Sequence, residues 1–250
     1  MSPSRIMAVA RLNATLFRRD PGPVLAYVSM PLLLMFFLAP LYGLSTDSSA
    51  AGNAHAVAGM AVMFAMFVIN PMGTSFFGEH GWRTWERLRA APATSLELMA
   101  GKALPVFAVL GAQSALILGV GLTALQVPVR GSPLALAAVV IAYQLSVLAL
   151  GLCLIALSRT RGQLGVLADT GGMLFACMGG ALVPAAALPG WASAVAPVFP
   201  SHWAMRGITA TIDGRGLGGA AGSVALLLAF AATFLAIAAA RYRRFDRRSP

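Results

Sequence analysis

Long apolar runs broken by short polar stretches dominate the pattern along this chain. A helix that crosses a bilayer needs about 20 mostly apolar residues, because the hydrocarbon core is roughly 30 Å thick. Runs at 24–44, 56–77, 104–126, 134–157, 164–188 and 218–240 meet that requirement. The pattern therefore predicts an all-α, polytopic membrane protein with six transmembrane helices. These runs fill most of the 250 residues and leave no room for a separate soluble domain. The chain reads as a single transmembrane domain over 1–250. An interfacial segment (1–20) precedes a six-helix bundle (24–240), and a basic tail (241–250) follows it. Pro31, Pro71 and Pro105 fall within or beside the runs and are expected at kinks, where packed neighbours satisfy the freed carbonyls.

Composition strengthens this reading. Only 10% of the residues are charged, against about 25% in a soluble domain, and the mean hydropathy is +0.79. A net charge of +10 would suit nucleic acid, but the placement of the charges argues otherwise. Arg5, Arg11, Arg18 and Arg19 precede the first run, and Arg83, Arg87, Arg89 and Lys102 lie between the second and third. Arg159 and Arg161 separate the fourth from the fifth, and Arg241, Arg243, Arg244, Arg247 and Arg248 follow the last. The alternate loops hold only Arg130, Arg206 and Arg215 of the 18 Lys and Arg residues. The positive-inside rule then places both termini in the cytoplasm of a multi-pass plasma-membrane protein. The basic residues set topology and engage anionic lipid; nucleic acid is not an expected partner. No cleavable signal peptide is expected, since a hydrophilic stretch precedes the first run and no small-residue cleavage site closely follows it. Cys153 and Cys177 sit inside apolar runs and read as small core residues.

Three segments outside the runs carry information. Over residues 4–19, Ile6, Val9, Leu12, Leu16 and Phe17 recur at roughly helical spacing opposite arginines. That is the pattern of a helix lying in the headgroup plane, with a disordered basic tail as the competing reading. Asp20-Pro21-Gly22-Pro23 breaks it before the first run. The loop from Gly78 to Leu98 is the most polar internal segment and mixes charge with Trp82 and Trp85. Glu79, Arg83, Glu86 and Arg87 have helical pairing distances, so a short docking helix and a solvated loop both fit. Residues 187–214 contain Pro189, Trp191, Pro200 and Trp203; they are too apolar for a free loop and too broken for a span. A re-entrant outer helical element fits there, as does an ordinary aromatic belt.

Catalytic patterns are missing from the sequence. His55, His80 and His202 fall in separate segments, with no metal-ligand spacing to Cys153 or Cys177. Gly101-Lys102 resembles the end of a phosphate loop, but Leu96 stands at the upstream glycine position and Ala103 at the Ser/Thr position. The chain is thus not expected to be an enzyme or to bind a cofactor. Ion-coupled carriers place ionisable residues deep in the bilayer. Here Lys102 and Asp169 are expected near cytoplasmic ends, and Asn70, Gln113 and Gln144 are neutral. Energy for uphill transport would come from a separate ATPase.

Arg18-Arg19-Asp20-Pro21 with Pro31 and the Phe36–Tyr42 stretch, then Glu79 to Lys102 with Gly81, Leu88, Pro92 and Gly101-Lys102, then Leu188-Pro189-Gly190-Trp191 through Pro200, Trp203 and Arg206, occur in that order among the runs. With these elements the whole chain resembles the membrane subunit of ABC-2-type ABC transporters, the daunorubicin-resistance-type exporter permeases. The resemblance implies an N-terminal amphipathic connecting helix and short re-entrant helices before the last span. It implies a coupling helix formed by Glu79, Gly81, Trp82, Arg83, Trp85, Glu86, Arg87 and Arg89 and seated on a nucleotide-binding subunit. It also implies a permease dimer, expected to be a homodimer, on two ATPase subunits that hold ATP and Mg. The segment Gly81-Trp82-Arg83-Thr84 departs from relatives in which Thr directly follows Gly. The apolar interior favours a drug, lipid or natural product as cargo, with Phe36, Met66, Phe67 and Asn70 as candidates to face its path. A self-contained carrier or channel without an ATPase is the alternative.

Overall fold

The computed structural model describes residues 3–19, 22–46, 48–73 and 95–246. Among them there is no strand, and the helices run in the order expected of an all-α membrane protein. Helix α1 (Pro3–Arg19) is followed by α2 (Gly22–Ser45) and α3 (Ser49–Phe67). Then come α4 (Ser95–Thr123), α5 (Pro133–Leu157) and α6 (Arg161–Met178). Two short helices, α7 (Gly190–Val195) and α8 (Pro200–Ile212), lead into α9 (Gly216–Asp246).

Local chemistry sets these boundaries. Ser48 caps α3 by accepting from the Ala51 N–H at 3.2 Å. The regular part of α3 stops at Phe67, and a turn at Val68 carries the helical path on to Gly73. Pro71 explains the break, because a proline ring collides with the carbonyl four residues before it, here that of Phe67. Pro133 occupies the first turn of α5, where a missing N–H costs nothing. Thr160 caps α6 by accepting from the Gln163 N–H, while the Gln163 side chain accepts from the Arg159 N–H.

Five helices are long and apolar enough to cross a membrane: Leu25–Leu44, Ser49–Gly73, Ala100–Thr123, Pro133–Leu157 and Gly218–Arg241. The run expected at 164–188 differs. Its helix has 18 residues, starts at Arg161 and ends at Met178. Gly180 stops it by adopting a φ of +84°, a conformation open to glycine and strained for other residues. Residues 181–188 turn away from the helix and include a single 3-10 turn. Gln163, Asp169, Thr170 and the glycines at 162, 165, 171 and 172 make α6 more polar than its neighbours.

Two helices form the centre. The apolar windows of α3 and α5 are 83% and 72% buried, against 22% for α2 and for α9. Helix α3 packs against α2, α4, α6 and α8, and α5 packs most extensively against α9. Polar side chains pin the layers. The Tyr143 hydroxyl on α5 donates to the Val62 carbonyl on α3 at 2.8 Å. Gln144 donates to Ser114 Oγ at 2.9 Å, and Gln113 donates to the Tyr27 carbonyl at 2.8 Å. Such interhelical bonds contribute about 0.6 kcal/mol on average in a bilayer. Tyr143→Phe should therefore destabilise the protein by roughly 0.5–1.5 kcal/mol. A fluorescence-detected melt in detergent reads this as a small drop in Tm with the fold retained.

The contacts also sort the chain into two ends. At one end Asn53 donates to the Leu125 carbonyl, Tyr42 to the Leu182 carbonyl and the Arg130 N–H to the Ile212 carbonyl. At the other, Gly101 abuts Val9 of α1 and Gly73 abuts Leu164. Helix α9 starts beside α8, and its 31 residues, about 46 Å of rise, carry it to that second end. Arg11, Lys102, Arg159, Arg161 and Arg241 thus collect at the α1 end, while Arg130, Arg206 and Arg215 collect at the other.

Candidate functional site

One polar pair joins α3 to α6 close to α2. Helix α6 turns a stripe of Leu164, Ala168, Gly172 and Ala176 inward, one residue per turn. Gly172 lets α6 approach Met66 on α3. Asp169 follows Ala168 and so flanks that stripe, exposed, halfway along α6. The side-chain amide of Asn70 on α3 donates to Asp169 Oδ2 at 2.8 Å. The Tyr27 side chain on α2 lies within electrostatic reach of the same carboxylate. Open space surrounds the backbone at Gly162, and Val166 and Met173 present exposed apolar side chains.

Asn70 lies three residues before Gly73, where α3 reaches the α1 end, so its bond holds Asp169 toward that end. The helix that carries Asp169 stops at Met178, rather than 188. The signal was the Gly179-Gly180 pair, a helix terminator inside an apolar run. Lys102 sits in the first third of α4 and is 2% exposed, close to the α1 seam at Gly101.

The residues expected along a path fall into different environments. Phe36 is 45% exposed on α2, among the exposed Leu33 and Phe37. Met66 is fully buried between α3 and α6. Phe67 is half-buried and packs obliquely on Phe64 at 5.6 Å. Asn70 is half-buried and bound to Asp169. Only Asn70 and Asp169 form a direct polar pair across α3 and α6 among the described residues.

The broken segment before α9 is helical, as expected. Pro189 precedes α7, and Pro200 opens α8 in the position where proline is tolerated. Trp191 is 68% exposed. Trp203 donates its indole N–H to the Pro197 carbonyl at 2.9 Å, with the Arg206 guanidinium 5.4 Å above its ring. His202 meets Trp203 edge-on. Burial, and then the neighbouring Arg206 charge, hold this histidine below its ordinary range, so it is neutral at neutral pH. Ser201 donates to the Phe175 carbonyl and ties α8 to α6.

Glu79, Gly81, Trp82, Arg83, Trp85, Glu86, Arg87 and Arg89 lie outside the described residues. Among the described residues no group of His, Cys, Asp and Glu could hold a metal ion. Among the described residues the arrangement is one of packed helices with a carboxylate on a helix face.

No curated protein matches the chain. Residues 4–212 match the family of the ABC-2 type transporter, which covers α1 through the end of α8. Members of this family are permeases of ABC-type transport that normally work with an ABC ATPase. The helical membrane architecture agrees, and the chain belongs to the ABC-2 type transporter family.

Proposed function

We propose that this chain is the permease subunit of an ATP-driven exporter that moves a hydrophobic or amphipathic compound out of the cytoplasm or the inner leaflet. A separate ATPase holds ATP and Mg, and the 79–89 segment is its docking element. Two copies of the chain form the membrane part, and ATP binding alternates the access of a path between them. The plasma membrane is its location, and both termini are cytoplasmic. The observation that carries this reading is the sorting of charge: α1, the start of α4 and the α5–α6 turn bring basic residues to one end. The segment joining α3 to α4 leaves from that same end. A cytoplasmic ATPase would meet that end under the positive-inside rule. Helix α1, with exposed Met7 and Leu12 beside Arg11, is suited to the headgroup plane there.

Detergent co-purification of the tagged chain from its native cells tests the partnership. Recovery of a stoichiometric soluble protein bearing a phosphate-binding loop supports it. Recovery of this chain alone, with crosslinking also finding no ATPase, favours a self-contained carrier. Reporter fusions test orientation. A fluorescent protein at the C-terminus should glow, and a phosphatase joined after Gly214 should be active outside. The reverse pattern would overturn the assignment of faces.

A further inference from the structure

Helices α5 and α6 are joined by a short turn, Ser158 to Thr160, at the basic end. A groove of about 500 Å³ opens beside it, lined by Leu157, Ser158, Gly162, Gln163, Val166 and Leu167. Its depth follows from α5, whose apolar span Pro133–Leu157 ends at this turn. Helix α6 returns against α5 and α3, so its first turns run beside the last turns of that span.

The groove joins two kinds of surface. Leu157, Val166 and Leu167 are 43%, 66% and 46% exposed, and Met173 and Leu174 are exposed seven residues beyond the last two. Residues seven apart share a helix face, so these side chains make an apolar track with about 10 Å of rise. At its head, Arg159 and Arg161 adjoin Ser158 and Gly162, and both arginines are exposed. Among the described residues neither has an acidic partner; the one ion pair there joins Arg215 to Asp213. Asp169, the next acidic side chain along α6, stands about 12 Å of rise beyond Arg161 and is bonded to Asn70. Ser158 Oγ is shielded from solvent and has no hydrogen-bond partner, which is unusual for a buried hydroxyl. A basic head above an apolar track complements an anionic head on an acyl chain. Guanidinium groups bind phosphate oxygens through two parallel N–H donors, and basic residues beside a membrane span attract anionic lipid. A soluble partner would meet the two arginines but leave the track uncovered.

We propose that the α5–α6 turn and its groove bind one anionic phospholipid. Arg159 and Arg161 hold the headgroup phosphate, and Val166, Leu167, Met173 and Leu174 cover an acyl chain. The headgroup also gives Ser158 Oγ, after rotation about Cα–Cβ, the acceptor it lacks. This goes beyond the exporter reading and does not depend on it.

The test is photocrosslinking of the full chain in phosphatidylcholine nanodiscs, read by peptide mass spectrometry. The probes are phosphatidylglycerol and phosphatidylcholine carrying the same photoreactive acyl chain, each as a trace lipid. Phosphatidylglycerol should label residues 162–174 of the wild type about tenfold or more above phosphatidylcholine, the scale of two basic side chains at an anionic headgroup. Arg159→Gln with Arg161→Gln should bring the two lipids within about twofold, and Arg159→Lys with Arg161→Lys should keep most of the preference. Arg130→Gln with Arg215→Gln removes the same charge at the opposite end and should leave the preference unchanged. Equal labelling by the two lipids in the wild type, or an undiminished preference in the 159/161 glutamine variant, would overturn the proposal. Should that variant fail to fold, competition on the wild type replaces it. Unlabelled phosphatidylglycerol should suppress the labelling and inorganic phosphate should not; the reverse result, or no suppression by either, sinks the site. Loss of a co-purified ATPase from the glutamine variant, with its lipid preference intact, would give the arginines to a protein contact and also remove the proposal.

Discussion

Gly59→Val is expected to abolish recovery of folded protein, while Gly119→Ala is expected to leave recovery unchanged or slightly higher. Both glycines sit inside membrane helices, so propensity alone does not separate them. Gly59 is on the buried central helix α3, and a Cβ there would fall on the backbone carbonyl of Ala181. Backbone cannot swing aside as a flexible side chain can. The turn that carries Ala181 is itself fixed: its N–H donates to the Ala176 carbonyl at 2.9 Å, and Gly180 holds φ +84°. Tyr42 of α2 also donates to the Leu182 carbonyl at 2.7 Å. A side chain at 59 would therefore separate α3 from the turn after α6 and strain the link to α2. Overpacking usually costs about 1–3 kcal/mol and exceeds that where neighbours cannot shift. A Cβ at Gly119 meets nothing within 4 Å, and Gly→Ala in a helix is favourable by roughly 0.5–1 kcal/mol. Size-exclusion profiles and thermal melts in detergent compare the two. A monodisperse Gly59→Val protein with wild-type Tm would show that the turn can move, and the close approach would lose its structural meaning.

The same turn shows what was legible in the sequence and what was not. Apolar length gave the helices, since backbone groups inside a bilayer must bond within their own helix. Pro71, expected at a kink, sits at the break in α3. The expected end of the run at 188 was too late because alanine, leucine and valine continue past Met178 and hide the stop. There the φ of one glycine overrides hydropathy. Apolar character alone could not distinguish Met66, fully buried against Gly172, from Phe36, exposed on α2. Lipid, protein core and path all favour the same residue types in a membrane, so exposure depends on which helix is central. The Asn70–Asp169 pair spans 99 positions of sequence, and no local pattern brings those two together.

Reversing both charges, Glu86→Arg with Arg87→Glu, is expected to reduce export by about tenfold or more while the chain still reaches the membrane. The chain is poor in charge, at 10%, yet Glu79, Arg83, Glu86, Arg87 and Arg89 fall within one short segment beside Trp82 and Trp85. Solubility does not require such density in a loop between two spans. Mixed charge with aromatic anchors is the composition of a protein contact, in which aromatics fill pockets and charges set register. Disrupting a close charge pair at such a contact costs about 2–5 kcal/mol, enough to weaken docking by more than tenfold. Reversal of the neighbouring pair preserves net charge, so bulk electrostatics and topology stay the same. Arg215→Glu at the opposite end is the control. Its partner Asp213 is exposed at 3.4 Å, and a surface pair contributes at most about 1 kcal/mol, so export should stay within about twofold of wild type. Three readouts separate the outcomes: chain abundance in membranes, ATPase recovered with the tagged chain, and export per unit of ATP hydrolysed. Loss of export with normal abundance and either lost ATPase or futile hydrolysis assigns the segment to coupling. Undiminished export with normal assembly would remove that assignment and leave the 79–89 charges as a solvated loop.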